Sequence, residues 1–180
     1  MLRRLILLAI AAVPAAFAVD RYLARQRGAR PPAPLRMMVV VDAPIGETWD
    51  VIANIPLQIE WMTEMRDIRI TTPGPTRVGT RGEATVRIAG ISVTDPVEVT
   101  EFQPPHRYAI RHEGRFTGGG LITLEAGPDD RVTIVRWEET LIPPILPDLG
   151  ALVQAPILRS IFQADLARLK RLVETGDADA

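Results

Sequence analysis

The order of apolar and polar residues predicts a chain with helices near both ends and a run of strands between them. From Met65 to Leu141, apolar and β-branched stretches are separated by turn residues about every 8–14 positions. No long helix interrupts these stretches, so antiparallel pairing in a meander is favoured over a parallel sheet. With the stretch that precedes them, about seven strands are predicted: Met37–Val41, Asp67–Thr71, Gly79–Ala89, Ile91–Phe102, Tyr108–His112, Arg115–Glu125 and Val132–Leu141.

Helical patterns follow the first strand and occupy the end of the chain. Pro44 is well placed to begin a short helix containing Trp49, and a second helical turn carries Trp61. The last helix has an apolar stripe at spacings of three and four, which must be buried against the sheet: Leu158, Ile161, Phe162, Leu166, Leu169, Leu172 and Val173. Charged residues are expected to flank this stripe: Arg159, Asp165, Arg168 and Arg171. Asp148 is predicted to cap the helix, and Pro156 predicts a kink or a restart.

The first 28 residues have the features of a membrane anchor or a signal segment. Two arginines precede an apolar core, Leu5–Val19, which as a helix is roughly 22 Å long against roughly 30 Å of hydrocarbon. Extension through Ala24 would let this helix span a bilayer, and the arginines around its end favour the cytoplasmic face for the domain. The Ala16–Ala18 segment resembles a signal peptidase site, so secretion after cleavage near Ala18 is the alternative. A buried structural helix is the third interpretation.

Composition divides the remainder of the chain into three parts. Residues 29–34 are rich in proline and form the predicted linker. Residues 35–176 are predicted to be one folded domain, because 180 residues suffice for one substantial core. Residues 177–180 form an acidic tail.

Charge is distributed unevenly along the chain. The segment Val19–Arg36 carries a net charge of +4, whereas Met37–Ala180 carries fourteen cationic and twenty-one acidic side chains, a net charge of −7. An acidic domain is a poor nucleic-acid binder, since phosphates attract lysine and arginine. The segment Val19–Arg36, here called the basic arm, is compatible with binding to anionic lipid headgroups. It is equally compatible with a solvated linker whose charges set the membrane topology.

Residue types narrow the possible chemistry. The chain has no cysteine, which excludes disulfide scaffolds, thiolate nucleophiles and cysteine-ligated metals. Its two histidines, His106 and His112, form no metal-binding pattern, and neither serine lies in a G-x-S-x-G motif. We therefore expect no metal and no cofactor.

Several segments together resemble the SRPBCC superfamily: Val41–Pro44 with Glu47–Val51, Trp61, Val78–Arg81, Val99–Pro105, Val132–Glu139 and Leu166–Glu174. Their order and spacing are similar to the START-like helix-grip fold, in particular its polyketide cyclase/dehydrase-type branch, from Leu35 to Thr175. The resemblance implies an α+β domain in which a curved antiparallel sheet of about seven strands grips the long C-terminal helix. It also implies a cavity for apolar ligands between them. The N-terminal apolar helix is separate from this resemblance.

Alternation along the last strand predicts which side chains face that cavity. Trp137 and Glu139 should face the concave side, since Arg136 and Glu138 belong outside. Glu139 could be desolvated and act as an acid or a base, but a solvated or arginine-paired position at the open rim is the favoured interpretation.

The neighbouring strand supplies two further candidates. Tyr108 could offer a phenol to a ligand, although a half-buried core tyrosine is the expected position. His112, near a strand end, is expected to be exposed or capping rather than catalytic. The candidates for acid–base catalysis are thus Glu139, Tyr108 and His112. The predicted ligand-binding residues are Trp61, Tyr108, Trp137, Glu139 and Phe162.

Two further stretches are open to more than one interpretation. Gly118–Gly120 lies inside a predicted strand and indicates a bulge, a bend or room for a ligand. Leu141–Val153 is expected to be a buried connection; the alternative is an exposed apolar lip at the cavity entrance, with Pro156 as its hinge.

The expected function is membrane-proximal binding of an apolar small molecule, such as a lipid, an isoprenoid or a polyketide-like compound. The partners are therefore that ligand and, through the N-terminal segment, a membrane, with no nucleic acid. One alternative is an enzyme of the cyclase or dehydrase type, although catalysis is not the favoured interpretation. The other is a scaffold that recruits a protein and whose cavity is filled by its own side chains.

Overall fold

The computed structural model describes residues 2–88 and 90–180, with side chains from residue 12 onward. Met1 and Ala89, the first residue of the predicted anchor and the last of a predicted strand, lie outside the described residues. Seven strands are present: β1 (Leu35–Val41), β2 (Met65–Ile70), β3 (Arg81–Ile88), β4 (Ile91–Gln103), β5 (Arg107–Glu113), β6 (Thr117–Ala126) and β7 (Thr133–Ile142). They form an antiparallel sheet in the order β1-β7-β6-β5-β4-β3-β2. The predicted α+β meander is confirmed, with the described strand ends within about two residues of those expected.

The helices are α1 (Leu2–Arg27), α2 (Ile45–Ala53), α3 (Gln58–Trp61) and α4 (Pro147–Thr175), with a 3₁₀ turn at Ile55–Leu57 before α3. The long helix α4 packs on the concave face of the sheet, with the Phe162 ring 4.8 Å from the ring of Trp137. Leu158, Leu166 and Leu169 are buried, as the spacing of the stripe predicts. The gripping arrangement implied by the family resemblance is therefore present.

The start of α4 differs from the prediction. The helix is continuous through Pro156, and its N-cap residue is Leu146, which has a positive φ of 53° and makes no side-chain capping bond. Capping comes instead from α1, where Asp20 Oδ1 accepts the backbone N–H groups of Asp148 and Leu149 at 2.9 Å each. The prediction that Asp148 caps the helix is wrong, because this carboxylate pairs with Arg27 at 2.6 Å.

The N-terminal helix α1 is thus docked on the first turn of α4. The apolar segment predicted over Leu5–Val19 falls partly outside the residues whose side chains are described. Within the described part of the chain, no helix combines the length and the apolar character needed to cross a membrane. Gly28, with a φ of +63°, follows the end of α1, and residues 31–34 have no regular secondary structure.

The two outer strands of the sheet are covered in different ways. Along β1, side chains of α4 reach free carbonyl groups: Gln163 Nε2 donates to Met38 O at 3.0 Å, and Lys170 Nζ donates to Val40 O at 2.9 Å. Along β2, the other outer strand, exposed charged residues dominate: Arg66, Asp67 and Arg69. The cavity lies against the concave face of the sheet, between these two edges.

Candidate ligand-binding cavity

A cavity of about 440 Å³ lies between the concave face of the sheet and α4. Its wall is mostly apolar because alternate residues of the central strands point to this face: Ala84, Val86, Val93, Val97, Ile110 and Ile122. Helix α4 closes the opposite side with Ile157, Leu158 and Phe162. The hollow that the resemblance implies is therefore present and is not filled by the protein's own side chains.

One buried carboxyl group of the wall is held by two ring nitrogens. Glu139 is only 4% exposed. Its Oε1 lies 2.9 Å from His112 Nε2, and its Oε2 accepts the indole N–H of Trp137 at 2.9 Å. An ionised carboxylate only accepts hydrogen bonds, so with Glu139 ionised the proton of this contact is carried by His112 Nε2. In the neutral imidazole, Nδ1 is then the free acceptor.

This arrangement corrects two expectations. Glu139 is not at a solvated rim, because the same face of β7 continues to Leu141, and the buried carboxylate is satisfied by Trp137 of the same strand and by His112 of β5. His112 is not an exposed or capping residue either. Its side chain is 18% exposed and turned to the cavity, where it contacts Glu139.

The three consecutive glycines of β6 allow groups of the neighbouring strands to approach closely. β6 pairs in continuous register with both neighbours through Gly118–Gly120, so the predicted bulge is absent from this described segment. A Cβ at Gly120 would lie 2.4 Å from Glu139 Oε2, and one at Gly119 would lie 2.3 Å from Ile110 O. Gly118 has a φ of +118°, which side chains rarely adopt. The glycines are therefore required by close approach, and Gly120 provides the space for the Glu139 carboxylate.

A phenol forms a second polar point in the wall. Tyr108 is 5% exposed and lines the cavity, so it is more deeply buried than the half-buried position expected. Burial raises the pKa of Tyr108 to about 12, partly offset by a hydrogen bond with the Gln58 side chain. The phenol is thus a neutral hydrogen-bonding group across the physiological pH range.

A third polar point was missed by sequence reasoning. Asp165 is predicted to flank the apolar stripe of the last helix, but it is 1% exposed and lines the cavity. Its Oδ1 accepts the Thr63 backbone N–H at 2.9 Å and lies 3.0 Å from Thr63 Oγ1. The available signal was its spacing, because Leu158, Phe162, Asp165 and Leu169 follow steps of four, three and four.

The predicted ligand-binding residues are not all equivalent in position. Tyr108, Trp137, Glu139 and Phe162 line the cavity. Trp61 is fully buried and stands edge-on to Trp137, with ring centroids 6.1 Å apart, outside the cavity wall. No group of three or more histidine, aspartate or glutamate residues within the described chain is arranged to hold a metal ion.

The stretch after β7 is more exposed than expected. Ile145, Leu152 and Val153 are each more than three-fifths exposed, so the predicted buried connection is wrong for these residues. Ile157 on α4 and Ile91 on β4 both line the cavity and are 60% and 69% exposed. Apolar side chains therefore border the cavity opening and the adjacent start of α4.

Comparisons with known proteins agree with this architecture. The profile of the family described as polyketide cyclase / dehydrase and lipid transport matches residues 33–174. The search of curated proteins found no match.

Solved structures of low sequence identity share the fold. The Zhui aromatase/cyclase from a Streptomyces species is 16% identical, with a TM-score of 0.60 over 79% of this chain and 96% of that chain. A protein from Thermus thermophilus is 15% identical, with a TM-score of 0.64 over 79% of this chain and 98% of that chain. A protein from Deinococcus radiodurans is 23% identical, with a TM-score of 0.58 over the same shares of the two chains.

Proposed function

The chain belongs to the polyketide cyclase / dehydrase and lipid transport family, and from this premise we propose that it binds an apolar small molecule, such as a lipid, an isoprenoid or a polyketide-like compound. The observation that carries the proposal is the cavity of about 440 Å³ beneath α4, with its largely apolar wall. Removing apolar ligand surface from water at about 25 cal/mol per Å² would supply most of the affinity.

Filling the cavity tests this proposal. Ala84 on β3 points into the cavity, so Ala84→Phe should displace ligand volume and weaken binding of the neutral dye N-phenylnaphthylamine by about tenfold or more. Thr85→Phe is the matched control, since Thr85 lies on the outer face, where its hydroxyl pairs with that of Thr94. Equal dye binding by both variants, measured by fluorescence titration, would place the dye elsewhere and refute the proposal.

A second candidate function is favoured by the His112–Glu139–Trp137 cluster. Within an apolar cavity, a neutral His112 whose Nε2–H is held by Glu139 could use Nδ1 to remove a proton from a ligand carbon next to a carbonyl group. Tyr108 could hydrogen-bond the developing oxyanion. This arrangement supports a cyclase or dehydrase reaction on a polyketide-like substrate.

Separation of turnover from binding tests the enzymatic candidate. Glu139→Gln keeps the size of the side chain but replaces one carboxylate oxygen by an NH2 group. Because the Trp137 indole can only donate, the amide oxygen faces Trp137 and the NH2 group faces His112 Nε2, which must then accept, so the tautomer of His112 changes. The enzymatic proposal expects turnover of a poly-β-ketone analogue to fall by about a hundredfold or more, while dye affinity is retained. Unchanged turnover in Glu139→Gln, or no turnover by the wild-type protein, would refute the enzymatic proposal and leave binding as the only proposed function.

We further propose that binding takes place next to a membrane. The support is the basic arm, with a net charge of +4 over Val19–Arg36, together with exposed apolar side chains on α1 and at the start of α4. Phe17 and Tyr22 of α1 are 52% and 60% exposed, and Asp20 on the same helix joins α1 to α4. A ligand could then pass between the lipid surface and the cavity opening.

A further inference from the structure

The first turns of α4 are a weakly supported part of the cavity wall. Leu158 is the first buried residue of this helix, although Gln154 and Ile157 before it already line the cavity. Pro156 lies between these two residues and has no N–H group to complete the helical hydrogen bonds. We therefore expect residues 147–155 to move more readily than the buried part of α4 that follows.

Helix α1 holds these first turns mainly through charged groups. Asp20 caps the helix, and the Arg27 guanidinium donates to both oxygens of Asp148, at 2.6 and 3.2 Å. The buried or half-buried residues of α1 from residue 12 onward follow a helical spacing on the face that packs on α4: Ala16, Asp20, Leu23, Ala24 and Arg27. Among these five, only Leu23 is a large apolar side chain, so docking of this part of α1 depends more on charge than on apolar burial.

The exposed side of α1 is suited to an anionic lipid surface. Three of its large apolar side chains are more than half exposed: Val13, Phe17 and Tyr22. Arg21 and Arg25 are exposed on the same helix and would attract lipid phosphates. This combination is typical of a helix that lies in a lipid interface. Helix α1 also lies outside residues 33–174, which match the family, so it is an addition to the shared fold.

We propose that docked α1 restricts the cavity opening and that an anionic lipid surface displaces it, an inference that rests on the proposed binding function. Lipid phosphates compete with Asp148 for the Arg27 guanidinium, while the exposed apolar side chains of α1 enter the lipid interface. Undocking removes the Asp20 cap, so residues 147–155 bend away from the sheet at Pro156 and widen the opening. The ligand is then retained in solution and exchanged at the membrane.

The rate of ligand transfer to vesicles tests this restriction. Protein loaded with N-phenylnaphthylamine is mixed with vesicles that contain a nitroxide-labelled lipid, and quenching of the dye reports its arrival in the vesicles. Transfer from the wild-type protein should be about tenfold faster to vesicles containing phosphatidylglycerol than to vesicles of phosphatidylcholine alone. Inorganic phosphate at the same concentration should not accelerate transfer to phosphatidylcholine vesicles, because it provides no interface for α1.

Two variants weaken the docking of α1 while changing the net charge in opposite directions. Arg27→Gln and Asp20→Ala should each accelerate transfer to phosphatidylcholine vesicles by about threefold to fivefold, and the further effect of phosphatidylglycerol should shrink. Arg25→Gln makes the same change of charge as Arg27→Gln at an exposed position of α1 and should keep the slow wild-type transfer. Dye affinity should be retained in all three variants, because none of these residues lines the cavity.

The possible outcomes separate this inference from the binding function. If the wild-type protein does not bind the dye, the binding function and the inference both fail. If bound dye is transferred equally fast to both kinds of vesicle, or if Arg27→Gln and Asp20→Ala transfer it as slowly as Arg25→Gln, only the inference fails. Acceleration by inorganic phosphate would assign the release to free anions, and transfer that slows as the protein concentration rises would assign the exposed side of α1 to a second copy of the chain. Either result would overturn the lipid surface as the partner.

Discussion

The cavity contains two buried carboxyl groups that differ in their supply of hydrogen-bond donors. Glu139 has one donor on each oxygen, from His112 and Trp137. Asp165 has donors on one oxygen only, from Thr63. An unsatisfied buried oxygen costs about 1–3 kcal/mol, so Asp165 lowers the stability of the fold.

The raised pKa of Asp165 predicts how stability depends on pH. The native state keeps this proton up to a pKa of about 7, whereas an ordinary aspartate loses it near 3.8. The native protein therefore binds more protons than the unfolded chain in this window, and the contribution of Asp165 to stability falls as the pH rises through it. Relative to Asp165→Asn, the wild-type protein should lose about 2–4 kcal/mol of unfolding free energy between pH 4 and pH 8.

Urea unfolding at several pH values measures this difference, because the titration of groups that do not interact with Asp165 is common to both proteins. Asp67→Asn makes the same change of charge at an exposed position on β2, serves as the control and should follow the wild-type profile. A constant difference between wild type and Asp165→Asn across the range would contradict the shift in pKa.

The sequence predicts some residue positions in the cavity and misses others for a clear reason. The inward orientation of Trp137 and Glu139 follows from the two-residue period of a strand. The contact between Glu139 and His112 depends on β6 lying between their strands and on Gly120 standing opposite Glu139. The strand order follows from the predicted meander, but the register does not, so the contact between Glu139 and His112 could not be predicted.

At the level of elements, α4 has two roles, since it closes the cavity and receives α1 at its first turn. The Asp20 carboxylate accepts two N–H groups that a helix N-terminus leaves unpaired, and its charge is favourable there. Local sequence could not reveal this cap, because Asp20 is 128 residues from Asp148. By contrast, strand ends are predicted well because glycine, proline and aspartate mark the turns locally.

Removal of this cap should loosen the start of α4. We expect Asp20→Ala to lower the unfolding free energy by about 1 kcal/mol, the usual cost of a lost N-cap. Hydrogen exchange should also become faster at the backbone amides of Asp148 and Leu149.

Asp50→Ala, at an exposed position of α2, is the control and should leave these amides protected. Unchanged exchange in Asp20→Ala would mean that α1 does not stabilise the first turn of α4.

For the whole molecule, the docked α1 and the exposed apolar residues near the cavity opening predict a lipid-facing side. Ile145→Asp and Val153→Asp replace two exposed apolar side chains at the start of α4 and should reduce co-sedimentation with phosphatidylglycerol-containing vesicles by about tenfold. High salt should weaken binding further, since the basic arm contributes through exposed charges.

A matched change far from this region provides the control. Val78 is 59% exposed in the loop before β3, so Val78→Asp should leave vesicle binding unchanged. Equal binding by all three variants would refute a role for the start of α4 in contact with lipid.

The overall fold was predictable because it follows from the order of elements along the chain. Consecutive strands from β2 to β7 are neighbours in the sheet, and the apolar stripe of α4 has one available face to cover. The depth of the cavity was not predictable, because it depends on how closely α4 approaches the sheet. The amino-acid sequence implied that a cavity exists only through the resemblance to the family.

The coverage of the two outer strands has a consequence for aggregation. A bare sheet edge is a template for a strand of another molecule, and such pairing leads to fibrous assemblies. Here β1 offers few free carbonyl groups, since Gln163 and Lys170 occupy two of them, while β2 presents charges that a foreign strand would have to desolvate. The protein can therefore contain an open apolar cavity without also exposing a sheet edge that promotes aggregation.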